Sequence, residues 1–185
     1  MEKLKFKEFR NLVLNSFKSV DLSVKIFGGV AVSLYSKERG TLDIDMAIKK
    51  NLEDVSKLIV ALESIEFSTQ ERILEDIFGA DPHEELFLFA MCRLTSDNPK
   101  FSDYHIDLCF EFGNHSYDTL EAEEVELDGV KTLVVTLPQL VAMKKKINPP
   151  RPQDIKDLET LTPLLAKQTM TDMKPSSIFD KRGGE

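Results

Sequence analysis

Apolar residues recur along this chain at two spacings, and the switches between them mark out its elements. Residues 3 to 19 set Leu4, Phe9, Leu12 and Phe17 at helical intervals, so a helix is expected there. Val24, Ile26 and Phe27 predict a short buried strand over 23 to 27, and a helix follows over 30 to 37. Leu42, Ile44, Met46 and Ile48 then alternate with Asp43, Asp45 and Ala47, which is the period of a strand. Residues 52 to 64 return to helical spacing, with Val55, Leu58, Ile59 and Leu62 on one side. Residues 69 to 78 fit a short strand or a helix, and residues 85 to 94 (ELFLFAMCRL) read as a buried strand. Over 103 to 112, Tyr104, Ile106, Leu108, Phe110 and Phe112 alternate with Asp103, His105, Asp107, Cys109 and Glu111, giving a second half-polar strand.

The C-terminal third is punctuated by turn and cap residues. Asp128-Gly129 between two apolar runs, 125 to 127 and 130 to 135, is a hairpin signal. Thr136 with Gln139 is a capping-box pattern, and Pro138 falls in the first turn, so a helix is expected from about Leu137 to about Ile147. Asn148-Pro149-Pro150 ends it, and Pro152 opens a further helix carrying Ile155, Leu158, Leu161 and Leu165. From about Gln168 the chain turns polar, with Pro, Ser and Gly, and reads as a tail. The expected organisation is one domain over 1–167, closing with C-terminal helices, and a polar tail over 168–185. Its class is α+β (an α/β sandwich): a mixed, mostly antiparallel sheet, helices on one face and acids on the other.

Composition narrows the function classes. At 185 residues and 42% apolar, the chain can bury a core, which argues against disorder throughout. A net charge of -8 argues against a protein that coats nucleic acid, though not against RNA held locally by the stretch 144 to 151. The N-terminal MEKLKFKEFRNLVL is charged and amphipathic, no apolar run approaches a membrane span, and a cytoplasmic protein without membrane partners is expected. Cys92 and Cys109 both fall in expected strands and form no zinc pattern, so they read as reduced sheet residues. His83, His105 and His115 are scattered, which argues against a histidine metal cluster; His105 shares a face with Asp107 and reads as a polar surface histidine or a pocket residue.

The candidate chemistry is concentrated in 27 to 48, FGGVAVSLYSKERGTLDIDMAI. Strand alternation sends Asp43 and Asp45 to one face. Side-by-side carboxylates there repel each other and lose hydration, and a divalent cation removes that penalty. Magnesium takes hard oxygen ligands, commonly one or two carboxylates plus substrate phosphates. Ahead of them, a strand, the Gly28-Gly29 turn and a helix N-terminus make a place where backbone amides approach phosphates closely. Neither a P-loop nor a dinucleotide fingerprint is present. Taken singly, a Gly-Gly is most often a turn and a D-x-D a solvated sheet face; their order and spacing favour a nucleotide site.

A Gly-Gly pair followed by R-x-T-x-D-x-D, here Gly28, Gly29, Arg39, Thr41, Asp43 and Asp45, resembles the signature of the DNA polymerase beta-like nucleotidyltransferase superfamily. The arrangement is most similar to AbiEii-type toxin nucleotidyltransferases and related uncharacterised bacterial proteins, and less so to the aminoglycoside and lincosamide nucleotidyltransferases. The resemblance implies a Mg2+-dependent enzyme that moves a nucleoside monophosphate from a nucleoside triphosphate such as ATP to an acceptor and releases pyrophosphate. It also implies a third carboxylate from a later strand: Asp107, with Glu111 as runner-up and Asp103 as a strand-end residue. Asp43, Asp45 and Asp107 are then the catalytic and metal-holding set, able to clamp the attacking and leaving oxygens. Arg39 reads as a triphosphate contact or a surface loop cation, and Thr41 as a site residue or a turn hydrogen bond. The segment from Leu137 to Leu158 resembles the family's LP-x-L-x-x-x-K and R-x-x-D-x-x-D-L motif. By that match Lys144 reaches the triphosphate, or else is a solvated helix end beside Lys145 and Lys146, while Arg151, Asp154 and Asp157 form an ion-pair network. An AbiEii-type toxin implies a tRNA or protein acceptor and a cognate antitoxin. A small-molecule modifier of the antibiotic-resistance kind is the alternative, and a catalytically silent nucleotide-binding scaffold the non-enzymatic one.

Overall fold

The computed structural model describes residues 4–36, 39–78 and 91–172. They fall into two compact units, divided between Leu140 and Val141. The first opens with α1 (Phe6–Ser19), whose buried residues Phe9, Val13, Leu14 and Phe17 lie along one stripe. Phe9 is the hub of an aromatic cluster: its ring stacks 5.0 Å from Tyr104 and 5.9 Å from Phe67, and lies 5.7 Å from Phe101. Rings at these separations add to the stabilisation from area burial alone. Helix α3 (Leu52–Ser64) buries Val55, Leu58, Ile59 and Leu62 as its spacing predicts, and Asn51 caps it by accepting the Asp54 amide at 2.8 Å. Residues Gln70–Phe78 are a helix, α4, which settles the ambiguity left by the pattern.

The sheet is built from β1 (Lys25–Ile26), β2 (Asp43–Ala47), β3 (Met91–Leu94), β4 (His105–Cys109), β7 (Ala122–Leu127) and β8 (Val130–Val135), in the order β3-β4-β2-β1-β8-β7. Strands β1 and β2, β3 and β4, and β7 and β8 pair antiparallel, whereas β1 with β8 and β2 with β4 run parallel. The sheet is therefore mixed and mainly antiparallel, as expected for an α+β protein. Asp128 and Gly129 both have positive φ, 52° and 87°, as the two-residue turn between β7 and β8 requires. Lys7 and Arg10 of α1 pair with the Asp128 carboxylate, which tethers that turn to the first helix.

Several elements depart from the pattern. The helix after the Gly-Gly turn, α2 (Gly28–Ser33), starts at the glycines themselves and is short. The half-polar strand expected over 103 to 112 breaks at Phe110: β5 (Glu111–Phe112) leaves the main sheet and pairs with β6 (His115–Ser116). Helix α5 (Leu137–Lys145) begins where expected, but not by the expected cap. The buried Thr136 hydroxyl has no hydrogen-bond partner, and Gln139 turns its amide to His115 Nδ1 at 3.3 Å. In the second unit, α6 (Pro152–Asp172) continues through Gln168 to Asp172. His83, residues 85 to 90 of the expected buried strand, Lys37 and the tail from 173 lie outside the described residues.

Candidate active site

Strands β2 and β4 share one burial pattern, because each alternates half-exposed polar with buried apolar side chains. They run parallel and in register, so Asp43 sits beside His105 and Asp45 beside Asp107. Ile44, Met46, Ile106 and Leu108 are fully buried behind them. Burial of those side chains fixes the register, since a one-residue slip would turn every carboxylate into the core. Two half-polar strands that look unrelated in sequence thus form one polar block on one sheet face.

The glycines abut this block. Gly28 has φ of +58°, and a Cβ there would lie 1.8 Å from Asp45 Oδ2. A Cβ on Gly29 would lie 2.7 Å from Thr41 Oγ1 and 3.0 Å from an Arg39 guanidinium nitrogen. The Gly29 amide donates to Asp45 Oδ2 at 3.2 Å. Gly28, Gly29, Arg39, Thr41, Asp43 and Asp45 are therefore brought together around one point. Thr41 donates its hydroxyl to Asp43 Oδ1, and an Arg39 guanidinium N–H donates to the Gly40 carbonyl. At this site the glycines provide room: the carboxylate and the turn side chains occupy the volume that any side chain would need.

Asp107 joins the block with a partner that the sequence pattern did not single out. Arg93 on β3 is in register with it and forks onto both its oxygens, Nε to Oδ1 and Nη2 to Oδ2, each at 2.7 Å. The carboxylate raises the pKa of the guanidinium in turn, through that hydrogen bond first. Arg93 is the penultimate residue of a mostly apolar run (ELFLFAMCRL), and its relevance depends on the β3–β4 register, which no local signal encodes. His105 lies with its Nε2 4.0 Å from Asp43 Oδ2, and Asp43, His105 and Asp107 each offer one ligand atom within 4.8 Å of the others. Two carboxylates and an imidazole are a donor set that fits a divalent cation.

Other expected participants lie elsewhere. Glu111 is carried off the face by the break at Phe110 and pairs with Lys50 at 3.3 Å. Asp103 is exposed in the turn before β4. The thiols are poor nucleophiles: burial first, then nearby carboxylates, pushes Cys92 up to about 12 and Cys109 higher still. In the second unit, Lys144 is buried rather than a solvated helix end. Its Nζ lies 2.7 Å from Asp157 and 3.1 Å from Asp154, and Arg151 also forks onto Asp154. The ion-pair network expected of Arg151, Asp154 and Asp157 thus has Lys144 at its centre.

This sheet order, with its polar block against a Gly-Gly turn, is a nucleotidyltransferase fold, and solved structures agree. The antibiotic-resistance factor ANT(2'')-Ia in complex with adenylyl-2''-tobramycin superposes with a TM-score of 0.53 at 13% identity, covering 89% of this chain and 92% of that one. A solution structure of ANT(2'')-Ia gives 0.54 at 12% identity, covering 89% and 87%. An antigenic nucleotidyltransferase-like protein from Paracoccidioides brasiliensis gives 0.52 at 18% identity, covering 86% and 76%. Neither a protein-family model nor a curated protein sequence matches the chain. Among the described residues, no helix is long and apolar enough to cross a membrane.

Proposed function

We propose that this protein is a Mg2+-dependent nucleotidyltransferase. The observation that carries this reading is the register of β2 and β4, which sets Asp43, Asp45 and Asp107 on one face against Gly28-Gly29, within this fold. Asp43, Asp45 and Asp107 would hold the cation, which would supply charge neutralisation to the triphosphate and the leaving pyrophosphate. Gly28 and Gly29 let the triphosphate approach the backbone, and Arg39 and Thr41 border it. An acceptor hydroxyl oxygen bonds to the α-phosphorus, the bond from that phosphorus to the bridging oxygen breaks, and pyrophosphate leaves with the electron pair. Asp107 takes the hydroxyl proton. The protein's contribution is positioning and charge compensation. In the second unit, Lys144 pairs with Asp154 and Asp157, which holds α5 to α6.

The acceptor has two readings. The R-x-T-x-D-x-D signature supports an RNA such as tRNA, or a protein, modified by a toxin that a cognate antitoxin would restrain. A small cationic acceptor is supported by the net charge of -8 and by the fold shared with a resistance factor solved with an adenylylated drug. The test is a transfer assay with each α-labelled nucleoside triphosphate, Mg2+, and total RNA, cell lysate or aminoglycosides as acceptors. Label in RNA or protein supports the first reading, and label on a small cation the second. Asp45→Asn should lower transfer by about 10²-fold or more with an unchanged circular dichroism spectrum. Full activity in that variant would sink the mechanism.

A further inference from the structure

We infer that His105 is a nitrogen ligand of the cation held between Asp43 and Asp107, so that the site takes a first-row transition ion more tightly than Mg2+. The inference rests on the metal-dependent reading above and adds a ligand to it. The ligands expected from the sequence are all carboxylates, and the sequence pattern alone leaves His105 as a surface or pocket histidine. The register brings His105 in: its Cα partner across the parallel ladder is Asp43, and it lies two residues before Asp107 on the same face. Its side chain is 27% exposed, so it is held at the site rather than free in solvent. Its Nε2 is 4.0 Å from Asp43 Oδ2, and one atom each of Asp43, His105 and Asp107 lies within 4.8 Å of the others. Ligands about 2.1 Å from one octahedral ion are about 3 to 4 Å apart, so small rotations of these side chains close the set.

The donor chemistry then sets the preference. Magnesium favours oxygen and keeps its waters, whereas imidazole suits transition ions. Arg93 does not preclude this, because a carboxylate offers about four lone-pair sites and the guanidinium fork uses one on each oxygen of Asp107. Asp45, whose Oδ2 accepts the Gly29 amide at 3.2 Å, completes the set as its third carboxylate.

The experiment is Mn2+ binding to the full chain, followed by calorimetry and by electron spin-echo modulation, with Mg2+ as comparison. Wild type should bind Mn2+ about tenfold or more tightly than Mg2+, with an imidazole 14N modulation on the bound ion. His105→Gln should lose that modulation and weaken Mn2+ about tenfold, while Mg2+ binding changes less than about threefold. The wild-type spectrum decides the matter even if the variant folds poorly. Mn2+ that binds without the 14N signal, and is abolished by Asp43→Asn, overturns the histidine ligand and leaves the carboxylate site standing. No Mn2+ binding with Mg2+-dependent transfer intact overturns the inference alone. No binding of either ion together with no transfer overturns both readings.

Discussion

At Gly28 a side chain meets two obstacles, a φ of +58° and the Asp45 carboxylate 1.8 Å from where its Cβ would be. The left-handed backbone alone costs a non-glycine residue about 1–2 kcal/mol. Gly28→Ala should therefore lose at least about 1 kcal/mol in urea unfolding and also lose cation binding, since Asp45 must move. Gly29→Ala has an ordinary φ and meets Thr41 Oγ1 and Cβ at 2.7 and 2.9 Å and an Arg39 guanidinium nitrogen at 3.0 Å, a milder clash than at Gly28, so its stability loss should be the smaller of the two. Arg93 is a contrasting case. Its fork onto Asp107 is well aligned, but its side chain is 56% exposed, so solvent screens the pair. Arg93→Ala should cost less than about 1 kcal/mol in the same measurement, while altering the affinity of the site for cations by removing a fixed positive charge from it.

At the scale of elements, the buried network between α5 and α6 is the more demanding electrostatic structure. Lys144 sits between Asp154 and Asp157, all three nearly solvent-free. Removing the cation would leave two carboxylates buried together. Lys144→Ala should accordingly destabilise the protein by about 3–5 kcal/mol in chemical denaturation. The Arg151 hydrogen bonds, reinforced by Lys144, hold the Asp154 carboxyl well below the usual carboxylate range. Its folded pKa is depressed, so its contribution to stability is complete above about pH 5 and is lost as pH falls through about 4 toward the folded value. A pH series of melting temperatures should show this acid limb, and Arg151→Gln should shrink it. The aromatic cluster joins α1 to the loops that carry Phe67, Phe101 and Tyr104. Phe9→Ala, at a fully buried position, should cost about 3–5 kcal/mol.

For the whole molecule, the excess of carboxylates distinguishes acceptors by the salt dependence of catalysis. If the acceptor is cationic, its KM should rise between about 50 and about 500 mM salt as screening weakens the attraction; an anionic RNA acceptor should show the opposite trend. Much of the fold was legible in the sequence because burial writes itself as periodicity. The α3 boundaries, the β2 alternation and the Asp128-Gly129 turn each follow from local spacing or backbone chemistry. The order and spacing of Gly28, Gly29, Asp43 and Asp45, with the family resemblance they carry, singled out those residues and Asp107; in the fold Asp45 lies beside Asp107 and against Gly28. The break at Phe110, the Arg93 fork and the Asp43–His105 neighbourhood were not legible, because each depends on which strand lies beside which, and in what register. The partners of Lys144 were not legible for the same reason: they lie ten and thirteen residues on, on another helix. The sequence by itself determined which side chains face together within a strand or helix, since the backbone periods are fixed by local geometry. Only the tertiary structure decided which faces meet, because strand pairing and helix docking are settled by burying the whole core at once.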